Sequence, residues 1–155
     1  MHCKDSANPR TSRSSAGQSA QGARTLERVR KSAPVEIVFP HPLSWWRTRR
    51  PERFKEVDIH IARYVLSKSA VIGEPHWHLG AAGNLAIALN VAMRASKRQS
   101  LLSLDLAMTA VLCLALEGQD EAKLFLSAML LRRSEIDEAT SELSDEWLDF
   151  SPTWI

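Results

Sequence analysis

Residues 101–133 read LLSLDLAMTAVLCLALEGQDEAKLFLSAMLLRR, and this stretch decides the fold. Two apolar patterns of helix length flank the short break EGQD at 117–120. Ser103 is a candidate N-cap for the first, which places Asp105 in the first turn, where the helix dipole favours negative charge. The spacing predicts a helix over 104–117, with Gly118 as the left-handed residue that closes it. The second helix, over 120–133, opens on Asp120 and Glu121 and ends on Arg132 and Arg133, again matched to the dipole. A turn this short forces the two helices antiparallel. The apolar run 101–116 is interrupted by Ser103, Asp105 and Thr109 and is shorter than the ~20 residues that span a bilayer. A buried core helix, and no membrane span, is the expectation.

Working outward, residues 80–97 are alanine and aliphatic nearly all round: Leu85, Ile87, Leu89, Val91 and Met93 alternate with Ala82, Ala86, Ala88 and Ala92. A helix apolar on every side sits in the centre of a bundle, so this one is expected there. Before it, Pro51 favours a helix start. Phe54, Val57, Ile61, Tyr64 and Val65 then fall on one face, which predicts the core side. Ile59 and Leu66 fall nearly opposite, as a second covered side or a minor patch for a partner. After the hairpin, residues 134–150 carry the stripe Ile136, Ala139, Leu143, Trp147 and Phe150 between acidic residues, an amphipathic helix that Pro152 prevents from continuing. The fold class predicted is all-α, a bundle of about five helices.

The segment PVEIVFPHP, residues 34–42, alternates Val35, Ile37 and Phe39 but removes two amide donors with Pro40 and Pro42. It reads as a short extended strap leading the helical domain at 34–155. Residues 1–33 hold almost no large apolar side chains and cannot bury enough surface to offset ordering entropy. They read as a disordered basic arm.

Charge is divided along the chain. Residues 1–55 carry 12 Lys/Arg against 4 Asp/Glu, a net of +8; residues 56–155 carry 8 against 14, a net of −6. Cys3 lies in the arm and Cys113 in the leucine-rich run, so a disulfide scaffold is not expected and Cys113 reads as a small buried hydrophobe. The first 30 residues lack the apolar core of a secretory signal. The expected location is cytoplasmic, the alternatives being organelle targeting or a secreted effector through the Ser- and Arg-rich arm.

Three features carry functional readings. Trp45, Trp46, Arg47, Arg49, Arg50 and Arg53 combine phosphate-binding guanidiniums with rings that stack on bases, which suits a nucleic acid or a protein partner. The plainer reading packs the tryptophans on the bundle and pairs the arginines with the acidic helix. His76 and His78, one residue apart, could reach a metal with His60, His41 or Glu74 completing the shell, or act in acid–base chemistry. No H-E-x-x-H or C-x-x-C pair supports them, and a polar loop anchored by Trp77 is the plainer reading. Ile136, Leu143, Trp147 and Phe150 on the acidic helix could lie in a groove of another protein, or simply close the bundle. Asp105 reads as a helix-start carboxylate and Tyr64 as a core residue.

The residues therefore lead to a non-catalytic adaptor or regulatory protein that works through protein–protein contacts and needs no cofactor, with self-association as one form of contact. The alternatives are a nucleic-acid-associated protein using the basic arm and the Trp–Arg cluster, and a metal-dependent or His-based enzyme using the H-x-H loop.

Overall fold

The computed structural model describes residues 41–154. The arm at 1–33 and the strap as far as residue 40 lie outside the described residues. The described residues form no strand. They form two 3-10 turns, Pro42–Ser44 and Pro51–Arg53, and seven helices: α1 (Trp45–Thr48), α2 (Glu56–Ser67), α3 (Trp77–Ala81), α4 (Leu85–Ala95), α5 (Leu101–Leu116), α6 (Asp120–Arg133) and α7 (Ala139–Asp149). The all-α class is thus the one expected. The five expected helices are α2, α4, α5, α6 and α7, and two short ones join them.

The centre of the bundle is α5. Every residue from Asp105 to Leu116 is buried. Its start lies a turn earlier than the sequence suggested, because Ser100, not Ser103, is the cap: the Ser100 hydroxyl accepts the Ser103 amide at 3.3 Å. Asp105 consequently leaves the first turn and becomes a mid-helix residue. Packed around α5 are α2, α4, α6, α1 and the first 3-10 turn. Gly118, at φ +87°, closes it as expected, and α6 returns antiparallel.

The stretch 80–97 is not one central helix. Gly83 takes φ +113°, and the Asn84 side chain accepts the Ile87 amide at 3.1 Å, capping a new helix. The result is the short α3 folded against α4. Gly80 makes that fold possible: a Cβ there would lie 3.2 Å from the Ala88 amide nitrogen. Helix α4 buries Ala88, Val91, Ala92 and Ala95 and leaves Met93 exposed, so it flanks the core instead of filling it.

The face of α2 is also the reverse of the expectation. Ile59, Ala62 and Leu66 point inward, while Val57, Ile61 and Tyr64 are exposed. Asp58 fixes this orientation. It accepts the Lys55 amide at 2.9 Å as a capping carboxylate and pairs with Arg49 at 3.0 Å, which turns its side of the helix toward the chain segment before it. Periodicity gave two apolar faces; this polar anchor chose between them.

Substitutions along α5 should separate its enclosed part from its start. Leu112→Ala, at a fully buried site, is expected to cost about 2–5 kcal/mol, and Leu101→Ala, at a half-exposed one, within about 0.5 kcal/mol, both read from urea unfolding.

Candidate functional site

The Trp–Arg cluster is assembled by α5 and α7. Trp45 and Trp46 are both buried. The Trp46 indole N–H donates to the Asp105 carboxylate at 2.8 Å, and Arg47 donates to the same group through Nε at 3.1 Å and Nη2 at 3.0 Å. A two-pronged guanidinium pair with a third donor satisfies a carboxylate that would be costly to bury alone. The same bonding raises the Arg47 guanidinium above its ordinary range, against the lowering effect of its burial.

Arg49 lies over two rings, 5.0 Å from the centroid of Trp45 and 4.6 Å from that of Phe54, while its Nη2 reaches Asp58. This is a cation–π contact closed by an ion pair. Arg50 reaches Glu146 at 2.8 Å and Glu142 at 3.7 Å on α7. Arg53 is exposed at the end of the second 3-10 turn. Between residues 47–50 and α7 lies a cleft of about 340 Å³ lined by both signs of charge, among them Arg47, Arg50, Glu142 and Glu146. The arginines of this cluster are therefore largely engaged within the chain, and both indoles turn away from the surface.

An aromatic series continues from this segment to the other end of the chain. Ring centroids are 6.0 Å apart for Trp45 and Phe54, 5.9 Å for Phe54 and Trp147, 5.4 Å for Trp147 and Phe150, and 6.0 Å for Phe150 and Trp154. Leu143 and Trp147, expected on a partner-facing stripe, are core residues here; Phe150 is half-buried, and Ile136 is exposed ahead of the helix. Helix α7 begins at Ala139, so Ile136 does not share its inner face.

The H-x-H loop is arranged around Glu74. Its carboxylate is buried and takes Arg94 through two bonds and Arg98 at 3.1 Å. Hydrogen bonding from Arg94, with the charges of Arg94 and Arg98, holds Glu74 below the usual carboxylate range although burial opposes this. Glu74 thus serves Arg94 on α4 and Arg98 just beyond it instead of completing a metal shell. Trp77 is buried and donates to the Ser69 carbonyl at 2.9 Å, an anchor for the loop. His76, His78 and His60 are exposed. Among the described residues no group of three or more His, Cys, Asp or Glu is placed to hold a metal ion.

Ser127, Ser144 and Cys113 are buried. Ser127 and Ser144 share a 2.8 Å hydrogen bond inside the α6–α7 interface. Burial pushes the Cys113 thiol up to about 12, far from a reactive thiolate. No helix among the described residues is long and apolar enough to cross a membrane. What the surface does offer is the outer face of α2: Val57, Ile61 and Tyr64, at 55%, 42% and 66% exposure, spaced i, i+4 and i+7. Their helical spacing alone predicts a core face. Asp58, one residue after Val57, was the signal for the opposite orientation.

Comparison with protein-family models, with curated proteins and with solved structures finds no match to this chain.

Two buried carboxylates can be probed. Asp105→Ala strands the Arg47 guanidinium and the Trp46 indole, and is expected to cost about 3 kcal/mol by urea unfolding. Because Glu74 titrates lower in the folded chain, its contribution is complete above the ordinary Glu value of about 4.3 and fades as pH falls through the lower folded value. Wild type should therefore lose more stability on acidification through that window than Glu74→Gln, measured by thermal unfolding at stepped pH.

Proposed function

We propose that this protein is a small non-catalytic adaptor or regulatory protein that acts through protein–protein contact, with the outer face of α2 as a docking surface. The observation that carries this reading is the exposed row Val57, Ile61 and Tyr64. Three large apolar side chains on successive turns form the face by which one helix packs on another. A tyrosine with an exposed ring is also a frequent anchor of interfaces. Lys68 lies 5.8 Å from the Tyr64 ring and extends the row with a charge at its end.

Asp105, Glu74 and Asp58 hold arginines, and Cys113 is enclosed. The nucleic-acid alternative keeps its basic arm, but with Trp45 and Trp46 buried it has no indole face at 45–46 to stack on a base.

A photo-crosslinking residue at position 61 of the full chain, expressed in its native host, tests the proposal. A discrete adduct is expected from position 61 and not from exposed Glu52, and it should vanish with Val57→Asp and Tyr64→Asp. An adduct with the chain itself would identify the partner as a second copy. Equal labelling from positions 61 and 52 would overturn the reading.

A further inference from the structure

A second apolar face runs along the outside of the α6–α7 hairpin. The Ser127–Ser144 contact at 2.8 Å and the Thr140 hydroxyl on the Leu130 carbonyl at 3.1 Å fix the register of the two helices. At 100° per residue, buried Leu126 and Leu130 lie to one side of Ser127, and Leu124 and Leu131 to the other. On α7, buried Leu143 and Trp147 lie to one side of Ser144, and Leu148 to the other. Leu124, Leu131 and Leu148 therefore border the same outer seam, exposed by 59%, 56% and 50%. Ala128, also exposed, leaves space between the two α6 leucines.

The charge beside this seam is one-sided. Residues 134–155 contain seven acids, Glu135, Asp137, Glu138, Glu142, Asp145, Glu146 and Asp149, and no Lys, Arg or His. The structure divides them. Glu142 and Glu146 turn to Arg50. Glu138, Asp145 and Asp149 lie on the rim nearer Leu148, exposed, and none forms an ion pair among the described residues. On the α6 rim Glu121 adds another acid and Arg132 one base. An apolar seam with unanswered acids along its α7 side calls for an apolar stripe edged by bases on that side.

We propose that the outer seam of the α6–α7 hairpin docks a basic amphipathic helix of a partner protein. The partner's aliphatic side chains cover Leu124, Leu131 and Leu148, and its Lys or Arg side chains face Asp145, Asp149 and Glu138. This surface stands on different residues from the α2 face and does not depend on that reading. Two docking faces on one small bundle would let it bridge two proteins.

The probe is a dye-labelled amphipathic peptide of about 18 residues, long enough for several helical turns, with leucines on one face and lysines flanking them. A twin carries glutamate for each lysine. Each is titrated by fluorescence anisotropy against the full chain. The lysine peptide is expected to bind saturably and to weaken as salt is raised. Leu124→Ser with Leu131→Ser, and separately Asp145→Asn with Asp149→Asn, should each weaken it about tenfold or more, with unchanged circular dichroism. Ile61→Ser on α2 should leave it unaltered. The polar pair at 145 and 149 carries the test if the leucine variant misfolds. Equal binding of the glutamate twin, no saturation up to about 1 mM peptide, or wild-type affinity in the folded variants would overturn the proposal. Loss of binding only in Ile61→Ser would assign the peptide to α2 and overturn it as well.

Discussion

The stretch Asp105–Leu116 of α5 has no polar face and has to be enclosed on every side, and the arrangement of the other elements follows from that requirement. Helices α2, α4 and α6 supply three walls. The remaining side is covered by the segment at 42–48, which is too short to be a wall by packing alone. It is held by Asp105, the one carboxylate on the enclosed part of α5, through Trp46 and Arg47. A buried charge is a weak source of net stability, but it specifies a geometry. Here it specifies which short segment closes the core.

The same principle recurs at two more places. Asp58 orients α2 through Arg49, and Glu74 ties the loop before α3 to α4 through Arg94 and to the turn after α4 through Arg98. Each pairs a carboxylate buried in its surroundings with arginines that keep part of their surface in water. Three such clamps account for many of the charges that, in the linear sequence, suggested a binding cluster or a metal site.

Much of the fold was legible because it rests on local rules. The α5–α6 hairpin followed from charge placement and from Gly118, and α7 from its stripe and Pro152. What was not legible depended on partners far away in sequence. Asp105 meets residues nearly sixty positions earlier, so no window around it could distinguish a clamp from a helix-start acid. The choice between the two faces of α2 lay in Asp58 and Arg49, not in hydrophobic spacing. The division of 80–97 turns on Gly83 and Asn84, a local cap masked by the continuous alanine and leucine pattern. The candidate docking residues were hidden for a related reason: an exposed leucine and a core leucine are the same letter until tertiary contacts assign them sides.

The ring series from Trp45 through Phe54 and Trp147 to Trp154 joins the first described segment to the last. On the ribosome this imposes an order of events. Phe54 is made some ninety residues before Trp147, its covering ring on α7. The nascent bundle must hold an apolar edge open until α7 has been made and has left the ribosome. A premature stop before residue 147 would release a chain that lacks the ring covering Phe54, a natural substrate for chaperone capture or degradation.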